Sequence, residues 1–261
     1  MTTAAANLTF SAIIAQALTE PGILSKAYSA FHNFSLGNQI LAAIQLGERG
    51  LPLSPIASFN NWKEKGRFVK KSEKAIKLFM PVTIKRKAAD EATGEEIDAG
   101  SFQAFMLKPH WFSLDQTEGD DYAPEAKTPA WDAEKAMQAL DIEETRFDDL
   151  RGNCMGYASG RQIAINPLNP FKHKTRFHEI SHIVLGHTGA GDMADGAEIP
   201  RDIREAEAEG VAYILCTLLG LPGQAESRGY IQSWLAGAEL PEKNAKRIIG
   251  AANKILKAGG E

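Results

Sequence analysis

Phe177-His178-Glu179-Ile180-Ser181-His182-Ile183-Val184-Leu185-Gly186-His187 is the stretch on which the reading of this chain turns. Residues four apart on a helix share a face one turn apart, so His178 and His182 can aim two imidazoles at one ion. Glu179 lies at the edge of that face, where a carboxylate can take a proton from an ion-bound water. Ile180, Ile183 and Val184 fall on the other side and bury the helix. His187 follows His182 by five positions, out of phase with the pair. The longer pattern with a glycine three and a histidine six residues beyond the second histidine is absent, because those positions hold Leu185 and Thr188. His187 is therefore expected to end the helix or to support a ligand rather than to be one.

Three fixed positions recur in unrelated chains, so the motif needs a partner elsewhere. It has one in Arg204-Glu205-Ala206-Glu207-Ala208-Glu209-Gly210-Val211-Ala212, a helical run that begins with carboxylates. A hydrolytic zinc site uses two histidines, one carboxylate and one open position. Glu205 and Glu209 are one turn apart and share a face, whereas Glu207 points away. One of the pair can bind the ion while the other fixes the tautomer of a ligand histidine; spacing does not rank them. With the water acidified by the ion and Glu179 as general base, the arrangement suits attack on an amide carbonyl. Zn2+ and Mn2+ both fit such a donor set. A structural ion would need a fourth protein ligand, and none is evident.

The 261 residues allow one large domain or two ordinary ones, and 44% apolar with 24% charged residues is a soluble, globular balance. No apolar run approaches the ~18–20 residues of a membrane helix, so no membrane partner is expected. Met1 to Asn7 lacks the basic start and long apolar core of a secretion signal. Two distant cysteines, Cys154 and Cys216, suit a reducing cytoplasm rather than a disulfide framework.

Net charge is −4 but unevenly spread. Between Trp62 and Lys87 ten lysines and arginines face only Glu64 and Glu73. One-signed clusters of this density point to a polyanion. Lys65, Arg67, Lys70, Lys71, Lys74 and Lys77, interleaved with Trp62, Phe68 and Phe79, can pair phosphates while aromatic rings stack on unpaired bases. Upstream, Tyr28 and Asn38 lie in a helical region of mixed aromatic and amide character that can read bases or fill a core. Residues 7–47 read as helices, 58–66 as a short helix, Ile76 to Val82 and 99–114 as strands joined by a polar hairpin connection. Gln116 to Pro129 reads as a linker, 131–141 as a helix and Tyr157 to Pro167 as strand–turn–strand. Helices then cover Lys172 to Leu185, Arg201 to Leu219, Ser227 to Ala236 and Pro241 to Lys257. The expected fold class is α+β, with an N-terminal α+β domain at 1–118, a linker at 119–130 and a mainly helical domain with a short sheet at 131–261.

Taken in order, these segments resemble the ArdC-like antirestriction proteins of conjugative plasmids and related mobile elements. The resemblance rests on Leu36-Gly37-Asn38, on Gly66-Arg67-Phe68-Val69-Lys70-Lys71-Ser72-Glu73-Lys74, and on Trp111-Phe112-Ser113-Leu114-Asp115-Gln116. Tyr157 to Pro167, the motif helix through Gly186-His187, and Gly229-Tyr230-Ile231-Gln232-Ser233-Trp234-Leu235 extend it. It implies an N-terminal single-stranded-DNA-binding domain joined to a zincin-like metallopeptidase domain that protects incoming DNA from restriction. By similarity to zincins whose third ligand is a glutamate, it implies Glu205 as that ligand and Glu209 as the acid behind a histidine. After His182 the family often carries Trp-Thr-Gly-His, whereas Ile183-Val184-Leu185-Gly186-His187 is closer to peptidases that cleave repressors. A regulatory protease acting on a repressor is therefore the alternative expectation, with a DNA-binding module around a structural metal as a further one. The implied partners are single-stranded DNA and a protein substrate such as a restriction enzyme or a repressor.

Overall fold

The computed structural model describes residues 9–19, 23–89, 96–123, 130–148, 154–189, 199–223 and 241–260. The expected helix at 227–236 and the family-like segment 229–235 lie outside them. Among the described residues, the fold is α+β, as expected. Its elements are α1 (Phe10–Thr19), α2 (Ile23–Phe31), α3 (Leu36–Glu48), β1 (Ile56–Ser58), α4 (Phe59–Glu64), β2 (Arg67–Val69), β3 (Ile76–Ala89), β4 (Glu96–Ser113) and β5 (Thr117–Gly119). They continue with α5 (Ala133–Ala139), β6 (Glu143–Thr145), β7 (Gly156–Ser159), β8 (Gln162–Ile165), α6 (Lys172–Val184), α7 (Arg201–Leu218) and α8 (Glu242–Gly259). Among the described residues, no helix is long and apolar enough to cross a membrane.

The chain divides into two compact units, residues 1–40 with 126–261, and residues 41–125. This grouping sets α1 and α2 with the C-terminal half, where the sequence reading had placed them in a domain ending at 118. The link is specific. Glu242 at the start of α8 accepts the Phe10 and Ser11 backbone N–H groups at 3.1 and 3.0 Å, two of the donors a helix start leaves open. Asn253 accepts the Leu36 N–H at 3.0 Å.

In the 41–125 unit, β1, β4 and β3 form an antiparallel sheet in the order β1-β4-β3, and β2 pairs with β5. The β3–β4 ladder runs from Ile76 opposite Trp111 to Ala89 opposite Glu96. The sequence reading ended these strands near 82 and 99, because Lys85, Arg86 and Lys87 read as loop. Two-residue alternation survives in the backbone although the side chains there are polar. Gln45 clamps α3 to the base of the ribbon, donating to Lys77 O at 2.8 Å and accepting from Lys77 N at 2.9 Å. Where β2 meets β5 the backbones touch so closely that a Cβ on Gly119 would lie 2.3 Å from Gly66 O. Both glycines also have positive φ, 71° at Gly66 and 126° at Gly119, so no side chain fits either position.

In the other unit, β8 is the middle strand of a β6-β8-β7 sheet, parallel to β6 and antiparallel to β7. The β7–β8 hairpin turns at Gly160, with φ of 57°, where the sequence places Ser-Gly. β6 went unread because three residues, Glu143-Glu144-Thr145, carry no legible alternation. Helix α6 buries Phe177, Ile180, Ile183 and Val184, the apolar face expected of it. Gly156 brings β7 close to this helix, since a Cβ there would lie 2.6 Å from Thr175 Cγ2. Trp131 packs its ring 4.9 Å from Phe177 and donates Nε1–H to Ile255 O at 3.2 Å, tying α6 to α8. Helix α7 is buried almost throughout and lined with Ala206, Ala208, Gly210 and Ala212. Small residues let its backbone approach α8, where a Cβ on Gly210 would stand 3.1 Å from Ile248 Cδ1.

Candidate metal centre

Helices α6 and α7 bring three ligand atoms together. His178 Nε2 and His182 Nε2 are 3.1 Å apart, and Glu205 Oε2 lies 3.3 Å from the first and 3.7 Å from the second. A tetrahedral ion with bonds of ~2.0–2.1 Å spaces its ligands roughly 3.3–3.4 Å apart. The donor set therefore fits a divalent cation in both chemistry and spacing. His178, His182 and Glu205 are the one group among the described residues whose ligand atoms converge in this way.

The outward nitrogens are also held. His178 Nδ1 donates to Glu209 Oε2 at 2.9 Å, and Lys174 Nζ donates to the other Glu209 oxygen at 2.7 Å. When the ring is neutral, that leaves the His178 Nε2 lone pair facing the three-atom cluster. Glu209 thus stands behind His178, and it is Glu205 whose oxygen joins the two Nε2 atoms. His187 is likewise not in the cluster: its Nδ1 lies 3.0 Å from His182 Nδ1, on the side away from Glu205.

The electrostatics follow from these contacts. Burial pushes the His178 imidazole down, but its bonds to Glu205 and Glu209 outweigh that and raise it to about 9. Bonding to His178 and then to His182 holds the Glu205 carboxyl well below the usual range. Burial raises Glu179, against the pull of His178 and His182. Glu179 is only 7% exposed. It lines a cleft of about 610 Å³ with His178, His182, Glu205, Arg204 and the β7 strand. A carboxylate raised by burial beside a cation site is suited to taking and returning a proton. β7 is the outer strand of its sheet among the described residues, so the cleft is walled by an extended backbone.

Glu207, Asn244 and Arg247 were not read as site residues. Glu207 is fully buried, and its Oε1 accepts from Asn244 at 2.8 Å and Arg247 at 2.9 Å. Two signals could have exposed them. A third glutamate on the far face of a helix buried all round must have a partner. Arg247 interrupts the apolar stripe of α8 beside Ala245, Ile248 and Ala251.

The residues expected to contact DNA fall into two groups. Lys65, Lys70, Lys71, Lys74 and Lys77 are exposed on the 41–125 unit, as is Phe68 at 52%. Lys65 Nζ stands 5.3 Å from the Tyr122 ring centroid, and Lys70 Nζ donates to Asp115 O at 2.9 Å. Trp62, Tyr28 and Asn38 must be corrected. Trp62 is 1% exposed, packs edge-on against Tyr122 and donates Nε1–H to Phe112 O at 2.8 Å. Tyr28 is 3% exposed, burial pushes its hydroxyl pKa up, and Asn38 is also buried. A ring with no accessible face cannot stack on a base. Arg67 is corrected in part: Nε and one terminal nitrogen donate to Thr117 Oγ1 and Thr117 O at 2.8 and 3.1 Å, and the other terminal nitrogen donates to Asp120 O. Its guanidinium staples β2 to β5.

Residues 15–111 match the N-terminal domain of the anti-restriction factor ArdC. The metal-free crystal structure of the antirestriction ArdC protein from plasmid R388 is 26% identical, covering 85% of this chain and 81% of that one, with a TM-score of 0.51. The Mn(II)-bound crystal structure of that protein shares the fold at 22% identity and a TM-score of 0.55, covering 96% of this chain and 93% of that one. No curated protein matches the chain.

Proposed function

From the premise that this chain is an ArdC-like protein, we propose that it is an antirestriction factor of a plasmid or related mobile element. It acts in the cytoplasm, binds single-stranded DNA through the basic surface of residues 41–125, and hydrolyses a peptide bond at a divalent ion held by His178, His182 and Glu205. The convergence of those three ligand atoms at tetrahedral spacing, with Glu179 beside them, carries the reading. The Mn(II)-bound R388 protein supports a divalent cation, and the donor set suits Zn2+ equally.

Each side chain has a defined task. Lys174 and Glu209 orient His178, and Glu205 supplies the anionic ligand. When bound, the ion supplies a Lewis acid that acidifies a water and polarises a carbonyl. Glu179 takes the proton of the attacking water and delivers it to the leaving amine. Arg201 and Arg204 line the same cleft and favour a substrate with acidic side chains. An extended substrate can lie along β7 by strand addition. A restriction enzyme or a repressor is the class of protein substrate this reading implies.

Glu179→Ala separates the two halves of the proposal. It retains the ion and removes the base, so partner cleavage falls by at least about a hundredfold. Protection of DNA from restriction by this variant at the wild-type level would show that proteolysis is not the protective activity. Undiminished cleavage would overturn the assignment of the base.

A further inference from the structure

The sequence places His187 out of phase with the metal face, yet the end of α6 folds it back. Gly186, with φ of 78°, closes a Schellman turn: Gly186 N–H bonds Ile183 O at 3.1 Å and His187 N–H bonds His182 O at 2.8 Å. This turn sets the His187 ring against that of His182, with centroids 5.1 Å apart and the two Nδ1 atoms at 3.0 Å. On its other side His187 Nε2 lies 3.0 Å from Glu207 Oε2, and both side chains are essentially inaccessible, at 1% and 0%. Arg247 Nε reaches both Glu207 oxygens at 2.9 and 3.2 Å, Asn244 adds a bond at 2.8 Å, and Arg247 also donates to Leu185 O at 2.8 Å.

With His187 neutral, proton placement along this chain has one consistent solution. A carboxylate faced by Arg247 and Asn244 has no proton to give, so it must accept from His187 Nε2–H. A neutral His187 then offers a bare Nδ1, which accepts only from His182 Nδ1–H. His182 in that tautomer has its lone pair on Nε2, the atom 3.1 Å from His178 Nε2.

We propose that His187, Glu207 and Arg247 form a buried relay that fixes the tautomer of His182 and so sets the affinity of the His178/His182/Glu205 site for a divalent ion. The inference rests on the metal reading above and deepens it. Burying four polar groups in a helical interface is costly unless each is satisfied, and this network satisfies them in the one sense that leaves His182 Nε2 free to bind. His178 obtains the same result from Glu209 and Lys174 through a single bond. The two ligand histidines are thus oriented by separate devices, one on α7 and one reaching α8. His187, Glu207 and Arg247 touch no substrate and are positioning residues.

An isosteric change tests the direction of the relay. In Glu207→Gln one oxygen remains. Asn244 and Arg247 draw it to the Oε1 position, and the new amide N–H2 faces His187 Nε2. His187 must then accept there, carry its proton on Nδ1, and turn His182 to the Nε2–H form that cannot bind. Zn2+ affinity of the full-length protein, measured by competition with a chelator, is expected to fall about 10- to 100-fold. His187→Ala should fall similarly, while His187→Asn, whose Oδ1 can accept from His182 where Nδ1 stood, should recover most of the loss. In the Zn2+-loaded wild type, 15N shifts should show His182 protonated at Nδ1 and His187 at Nε2. Wild-type affinity in Glu207→Gln together with equal loss in both His187 variants would overturn the relay alone. A wild type that binds no Zn2+ or Mn2+ would bring down the metal reading and the relay with it.

Discussion

Replacing Arg67 by alanine separates two roles that its sequence context merges. The basic run suggests a phosphate contact, but the guanidinium donates to Thr117 Oγ1, Thr117 O and Asp120 O. A hydrogen bond from a charged donor contributes ~1.5–3 kcal/mol when buried and well under 1 kcal/mol when exposed. Two of these bonds are part-buried and one is exposed, so their loss should cost about 2–3 kcal/mol. The register argues for the upper end, because the bonds join β2 to β5, a pairing of only Arg67 with Gly119, Phe68 with Glu118 and Val69 with Thr117. Urea unfolding followed by circular dichroism would read that loss as a lower midpoint at unchanged slope. Arg67→Lys should recover little, since an ammonium cannot span three acceptors. In parallel, titration of fluorescent single-stranded DNA over a range of salt should show Lys71→Ala and Lys74→Ala weakening binding, each reducing the salt slope by about one, with stability unchanged. Arg67→Ala with full stability and the salt behaviour of the lysine variants would refute the staple and return Arg67 to the DNA surface.

Two further perturbations probe the site. Gly156→Ala drives a methyl to within 2.6 Å of Thr175 Cγ2, and Thr175 Oγ1 already accepts from Asn169 at 2.7 Å; the overlap should cost ~1–3 kcal/mol, read as a lowered Tm, and push β7 away from the cleft. In metal-free protein His178 is raised to about 9, so the stability its protonated form contributes is complete below the ordinary value near 6.5 and lost as pH rises through about 9. Metal-free stability should therefore decline by on the order of 3 kcal/mol across that window, while metal affinity rises over it because the same proton must leave. Parallel slopes for the two quantities would contradict the assignment of His178.

The sequence carried the metal face because helical spacing is a local property: positions 178 and 182 on one helix, 205 and 209 on another, need no tertiary information to share a side. Which glutamate faces the histidine pair was not legible from spacing, although the family resemblance implied Glu205. It depends on how α7 slides along α6, and the packing sets Glu205 at the Nε2 pair and Glu209 at the outer nitrogen of His178. His187 shows the limit most clearly. Its helical phase points it away from the site, and a turn that requires Gly186 at positive φ restores it. In the basic region charge was legible, but burial was not. Trp62 and Lys65 stand three positions apart, yet Trp62 on α4 turns inward to Phe112 while Lys65, just past the end of that helix, is exposed. Aromatic residues in a basic run are read as stacking platforms or as core with equal ease, because both uses demand the same side chain.

The proposed site depends on His178, His182 and Glu205 holding one ion. Elemental analysis of the full-length protein after exposure to Zn2+ or Mn2+ and gel filtration tests it most directly. One tightly held ion per chain is predicted, retained in Glu179→Ala and lost in His182→Ala and Glu205→Ala. A wild-type protein that emerges without an ion, or a Glu205→Ala variant that keeps one at full occupancy, would contradict the account.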